Sequence, residues 1–322
     1  MKKLRYVPAL LLLMALAPLG SGWTAREAGA ASCKGARIET KEREALETFG
    51  PILTDTAVPV AKGVLYLQPF WSFSFMTSAF NTHGKRVSAG GNFYSYEFEL
   101  QIYYGAWDNF EVFTIIPMVV NWANSVEALG PGGERSASHG GLSDINLTLK
   151  YRLVKEGPVA PTITAVFATD FPTGHYKNLN PSRLGTDALG GGAYVFTAGV
   201  NLSKWVKPFI LYTNLYYSMS TPFTDDEGKK YPRDFVTVNL AAEYPITGKW
   251  IALLELISFW DGGRLFAPGA NVAPAHLLSV LPGIEFMATE KLAFYLGVDI
   301  DLIGRNTDAT VTPILSLVWV VP

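Results

Sequence analysis

From residue 144 to 153 the chain alternates polar and apolar side chains without a slip: Asp144, Asn146, Thr148, Lys150 and Arg152 in one phase, Ile145, Leu147, Leu149, Tyr151 and Leu153 in the other. A period of two puts successive side chains on opposite faces of a β-strand. Similar segments recur at 64–78, 93–104, 108–121, 142–154, 160–171, 191–203, 206–219, 234–246, 250–261, 277–288, 291–303 and 310–321, so twelve strands are expected. Each is long enough to cross a bilayer at a tilt, which takes ~9 to 11 residues.

The connections alternate in length. Those at 105–107, 155–159, 204–205, 247–249 and 289–290 are short, whereas 81–92, 123–141, 172–190, 220–233 and 262–276 are long and rich in Gly, Pro, Asn and Ser; only 304–309 breaks the pattern by being brief. Long loops on one side and tight turns on the other are the habit of outer-membrane barrels, whose short turns lie in the periplasm. The expected fold is therefore all-β: a transmembrane up-and-down antiparallel β-barrel of about twelve strands, occupying 63–322, with both termini periplasmic and the chain in the bacterial outer membrane. Most Trp residues, with many Tyr, fall in or beside the strands, several of them close to strand ends, where aromatic girdles at the two interfaces would place them.

A charge on the lipid face costs up to ~2–4 kcal/mol at the midplane, so the polar phase should face the lumen. That assigns ten lumen-lining residues: Glu97, Glu99, Asp144, Asn146, Lys150, Arg152, Glu243, Glu285, Asp299 and Asp301. The strand from Trp250 fits poorly, because Glu255 shares its phase with Ile251, Leu253 and Ile257. Either it borders a plug or the register slips there. Counting Glu255, the strands carry eight of these acids against Lys150 and Arg152. Some carboxylates are expected to pair with those two bases, and the remainder to make the lumen acidic.

Composition sharpens this picture. Charged residues make up 17% of the 322-residue chain and hydrophobic ones 49%, against ~25% charged in a typical soluble domain. No stretch after the N-terminus is apolar for the ~18 residues that a membrane helix needs, and a closed barrel is the other way to satisfy every backbone group in lipid. Lys2, Lys3 and Arg5, the apolar run 6–19 and the small residues ending at Ala30 have the layout of a secretory signal peptide, 1–30, although cleavage near Ala25 also fits. Residues 31–62 form either a periplasmic leader or a short plug helix, the helical candidate being 34–49. Cys33 is the only cysteine, which excludes an internal disulfide, and its place well beyond the apolar run disfavours lipid attachment. A net charge of -2 with scattered bases argues against nucleic acid.

No catalytic, cofactor or metal constellation stands out. His83, His139, His175 and His276 all fall in or beside long loops, His139 near Ser138 and Ser143 lacks a fixed partner, and no metal-ligand spacing occurs. The expected partners are outer-membrane lipid and lipopolysaccharide, the barrel-assembly machinery and a small-molecule cargo. Phe171, Tyr176, Phe223, Tyr231 and Phe266 lie near the loops, where they form an apolar landing site for cargo or anchor the loops at the lipopolysaccharide interface.

Four stretches carry a family resemblance: GPILTDTAVPVAKG at 50–63, GGLSDINLTLKYRL at 140–153, APTITAVFATDFPTGHY at 160–176, and NPSRLGTD at 180–187. With these the chain resembles the outer-membrane proteins associated with the meta-cleavage pathway of phenol degradation, including the related group labelled simply as transporters. It departs from them in Ser143, where members usually carry Gly, and in ending Val321-Pro322 rather than on an aromatic residue. The resemblance implies a barrel for passage of hydrophobic or aromatic small molecules. Residue patterning alone leaves two functions open: such a channel, or a structural or adhesive barrel with a filled lumen and partner-binding loops.

Overall fold

A computed structural model describes residues 48–126, 135–263 and 273–321. The expected signal segment, Cys33, Phe266 and all but the last two residues of the helical candidate 34–49 lie outside the described residues. The strands are β1 (Leu65–Phe80), β2 (Arg86–Val87), β3 (Asn92–Trp107), β4 (Phe110–Val126), β5 (Arg135–Leu142), β6 (Ile145–Val154), β7 (Thr162–Phe171), β8 (Val195–Val206), β9 (Phe209–Ser220), β10 (Phe223–Asp225), β11 (Gly228–Lys230), β12 (Asp234–Pro245), β13 (Trp250–Gly263), β14 (His276–Thr289), β15 (Leu292–Arg305) and β16 (Thr307–Val321). β5 and β6 are one wall strand interrupted at Ser143 and Asp144, β2 is a short flap on β1, and β10–β11 form a hairpin within a long loop. The twelve wall strands run antiparallel, each beside its sequence neighbour, and β16 pairs with β1 from Leu65↔Val321 to Phe80↔Thr307, closing the barrel. Closure leaves no wall strand with an unpaired edge in lipid.

The two side-chain phases separate as the alternation dictates. On β6, Thr148 and Lys150 are buried while Leu147, Tyr151 and Leu153 are exposed, and Phe167, Leu254, Leu256, Phe294, Leu296 and Leu315 are likewise exposed on their own strands. Large apolar side chains turned outward around a closed wall are a lipid-facing surface. At the short-turn end this band finishes in Tyr104, Trp107, Tyr151, Tyr244, Trp250 and Trp319, all exposed, which is the girdle expected of an interface.

Several boundaries differ from the sequence expectation for local reasons. The expected turn at 204–205 lies inside β8, because Lys204 Nζ reaches the carbonyls of Gly157 (2.6 Å) and Ala160 (3.2 Å) and holds the strand against the neighbouring turn. The turn falls instead at Lys207-Pro208, since Pro208 has no N–H to extend the ladder. β8 begins at Val195 rather than 191: Gly192 takes φ 72° and Asp144 holds the amide of Gly191, so the chain is still turning there. The brief connection 304–309 shrinks to Asn306 alone, at φ 48°, a left-handed conformation that Asn tolerates.

Candidate functional site

Residues 48–63, just before β1, thread the lumen as an extended strap with neither helix nor regular strand. Pro51 and Pro59 deny it helix continuity, and no backbone neighbour runs beside most of it. Its buried amides must therefore find acceptors on wall side chains. Glu255, fully buried, takes three consecutive ones: Ile52 N and Thr54 N at 2.6 Å each and Leu53 N at 3.1 Å. Asp55 N donates to Asn214 Oδ1 (2.8 Å), Ala57 N to Ser203 Oγ (2.8 Å) and Val60 N to Glu111 Oε2 (2.6 Å). Thr48 Oγ1 lies 3.1 Å from Glu243 Oε1 and 2.8 Å from Glu285 Oε2, and Thr164 Oγ1 donates to the carbonyl of Ala57. The strap rises beside β12–β14, crosses β9, β8 and β7, and descends to β4 and β3. There a Cβ on Gly105 would lie 2.1 Å from the carbonyl oxygen of Ala61, so only glycine lets the strap pass.

Side chains reinforce the crossing. Asp55 accepts from Lys150 Nζ and Asn201 Nδ2, both at 2.7 Å, and Lys150 also stands 3.2 Å from Glu111. Ile52 occupies an apolar pocket inside the barrel with Phe70, Ile251, Leu253, Leu281, Ile314 and Val318. It rests on the directly paired Gly283 and Gly297, where an added Cβ would lie 2.7 and 2.8 Å from its Cδ1. Ile251, Leu253 and Glu255 thus share one inward phase for a physical reason: that wall meets strap side chains and strap amides rather than water.

The ten residues assigned to the lumen divide by what they touch. Glu243 and Glu285 hold the strap's start and also accept from Tyr212 (2.9 Å) and Tyr295 (3.0 Å). Lys150 holds the strap's middle. Asp144 sits at the break between β5 and β6 and accepts from Gly174 N (2.9 Å) and Gly191 N (2.7 Å), pinning the long loop after β7. Asn146 donates to Asp170 (2.6 Å). Asp301 accepts from Thr310 N (2.7 Å), and Asp299 lies two residues before it on β15. Glu99 accepts from Gln101 (2.5 Å), and Glu97 is in register with Ser72 and Val119. Arg152 meets no carboxylate; its Nε donates to Asn109 Oδ1 at 2.9 Å. The sequence reading missed Glu111, Asn201, Asn214, Ser203 and Asp55, and left Glu255 unassigned. The misfit of a carboxylate on an apolar phase was the signal for Glu255; nothing comparable marks Asn201 or Asn214.

The long-loop end is covered from within. Ser143 Oγ donates to Leu189 O (2.6 Å), Asn121 Nδ2 to Thr186 O (3.2 Å), and Leu189, Thr186 and Asp187 are buried. Asp226, between β10 and β11, accepts from the amides of Asn178 and Leu179, both at 2.7 Å, and these bonds hold its carboxyl below the usual carboxylate range. Of the rim aromatics, Phe171 packs on Tyr194 and Tyr176 on Phe223, at 6.0 and 5.8 Å, and Tyr231 receives Lys229 at 5.2 Å.

Two cavities lie along the sector of wall formed by β1, β3 and β4. One of about 530 Å³ opens at the short turns beside Asp108, Asn109 and Lys155 and extends along β1, β3 and β4 as far as Glu99. The other, about 230 Å³, lies beneath the loop residues 184–186 and is lined by Ser74, Ser95, Asn121 and Thr310. Directly opposed residues share a face, so the inward rows over these strands read Tyr66–Tyr103–Phe113, Gln68–Gln101–Ile115, Phe70–Glu99–Pro117, Ser72–Glu97–Val119 and Ser74–Ser95–Asn121. A single row, centred on Glu97, separates the row of Glu99 in the lower cavity from the row of Ser95 in the upper one.

The sequence matches no family model and no curated protein. Among solved structures, the COG4313 outer membrane channel from Pseudomonas putida F1 is similar with a TM-score of 0.63 and 16% identity, over 81% of this chain and 97% of that one. The chain has this barrel fold. The translocator domain of the autotransporter NalP from Neisseria meningitidis gives 0.49 and 10%, over 80% and 88%. The Pseudomonas putida toluene transporter TodX gives 0.41 and 8%, over 81% and 91%.

Proposed function

We propose that this protein is an outer-membrane channel for passive passage of small hydrophobic or aromatic molecules, belonging with the barrels of the phenol meta-cleavage group. The observation that carries this reading is the alignment of two cavities on one sector of wall, a single side-chain row apart, in a lumen that the strap crosses. Such a path suits one small molecule at a time and disfavours bulk water. The fold it shares with an outer membrane channel supports the assignment. In this reading the short turns and both termini face the periplasm, lipid and lipopolysaccharide surround the wall, and the barrel-assembly machinery inserts it. A deletion strain should take up a monoaromatic carbon source more slowly at limiting concentration, and complementation should restore the rate. Unchanged uptake, with no second gene copy, would remove the cargo assignment. The docked strap also favours a second reading, a structural or adhesive barrel with a filled lumen, for which uptake stays unchanged and cell-surface binding through the loops is lost.

A further inference from the structure

The lower cavity is not electrically uniform. Its deep cation, Lys150, is outnumbered by two carboxylates, Asp55 and Glu111, at 2.7 and 3.2 Å, so the deep part offers an anion no free cation. Toward the short-turn mouth stand Lys62, Arg152 and Lys155, against the single acid Asp108. None of these four joins an ion pair among the described residues. Arg152 is the informative one. Its side chain is partly withdrawn from solvent, and both its Nε and Nη2 converge on one neutral oxygen, Asn109 Oδ1. A guanidinium carries five donors in a planar fork, so most of its capacity is uncommitted, and its charge has no partner. Alternation along the strand predicts a neighbouring carboxylate beside it; the turn between β3 and β4 supplies an amide instead.

Higher on the same wall, Tyr103 and Phe113 stack with ring centroids 4.8 Å apart at 22°, and both line the same cavity. Phe113 lies four residues from Asn109 on the chain, about 13 Å at ~3.3 Å per residue. With the Arg152 fork held at Asn109, a carboxylate on the fork and the aromatic ring attached to it extend along that distance, past the row of Glu111 and Lys150. We propose that the cavity binds a small aromatic carboxylate, its carboxylate on the Arg152 fork and its ring toward Tyr103 and Phe113. The proposal rests on the channel reading and narrows its cargo. A carboxylate supplies the planar acceptor pair that a guanidinium matches bidentately, whereas a neutral aromatic leaves the charge uncompensated. Lys62 and Lys155 favour anion approach at the mouth.

The test uses the purified full-length mature barrel in detergent, with benzoate and benzyl alcohol as probes that differ in charge and little in shape. Calorimetry or saturation-transfer NMR should show benzoate binding that weakens with added salt. Arg152→Gln should lower benzoate affinity about tenfold or more while benzyl alcohol changes less than about twofold, and Arg152→Lys should fall between. Gel mobility without heating checks that each variant is folded; if Arg152→Gln is not, the salt dependence and the benzoate preference of the unmodified barrel decide. Benzoate affinity unaltered by Arg152→Gln, or independent of salt, overturns the proposal. Binding of benzyl alcohol without benzoate overturns it too and leaves the channel reading standing. If neither probe binds and the deletion strain takes up aromatics normally, both fall.

Discussion

Replacing Glu255 by alanine would test the strap directly. Its carboxylate accepts from the amides of Ile52, Leu53 and Thr54, and no water-exposed surface is left on it. Truncation strands two buried donors, Ile52 N and Thr54 N, and the part-buried Leu53 N, each buried one costing about 1–3 kcal/mol if nothing replaces the acceptor. The sum is an upper bound, because the strap escapes the penalty by undocking once the cost exceeds its remaining attachments. A net loss of ~3 kcal/mol raises the undocked fraction about a hundredfold, since each ~1.4 kcal/mol is a factor of ten. Planar-bilayer recording reads the outcome: the unmodified barrel should be nearly silent to ions, and Glu255→Ala should show frequent stepwise openings at unchanged gel mobility. Crosslinking a cysteine at Leu53 to the wall should silence them again. If Glu255→Ala is folded and as silent as the unmodified protein, and a spin label at Leu53 is no more mobile, the carboxylate does not hold the strap.

Lys150→Met should lower the temperature at which the folded band converts on heated gels. It leaves buried Glu111 and partly buried Asp55 without their cation, and breaking a buried pair costs about 3–5 kcal/mol, somewhat less here because Asp55 keeps some exposure; adding Asp55→Asn should recover part of the loss, and an unaltered transition would refute the assignment. The tie between loops at Asp226 has a defined pH dependence. Because its pKa is depressed in the folded state, the stabilisation is present above the ordinary carboxylate range and is lost as pH falls through the lower folded value. Amide exchange protection at Asn178 and Leu179 should therefore persist from neutral pH down to about 4 and disappear below it. Asp226→Asn should lack that protection already at pH 7, and equal protection in the two proteins at pH 7 would refute the tie.

The wall was legible because alternation is a local signal. Residues 144–153 announce both their strand and its lipid face, since lipid punishes a misplaced charge on every second residue. Turn positions were less legible: the end of β8 depends on Lys204 reaching carbonyls more than 40 residues away, which no local pattern records. The strap was the least legible element. Its amides are satisfied by side chains scattered over five wall strands, so its sequence needs neither helical nor strand periodicity, and 50–63 is distinctive without displaying a conformation. For the same reason the acid excess was misleading as a description of the lumen surface: Glu243, Glu255 and Glu285 face strap groups rather than an open pore.

The strap's position in the chain has a consequence for biogenesis. It precedes β1, and so leaves the ribosome before any wall strand, yet its acceptors lie far downstream: Glu255 is 203 residues from Ile52, and Glu285 is 237 from Thr48. Those carboxylates come to surround one space only after β12–β14 have joined the sheet and β16 has met β1. Until then the strap's donors have nothing to bind, and ordering it over so long a span is opposed by chain entropy. Docking is thus a late event that registers a completed cylinder, and a barrel whose β1–β16 seam has parted would release the same segment. Protease resistance at 50–60 in a pulse-labelled chain should accordingly mature after, never before, the closed-barrel gel band.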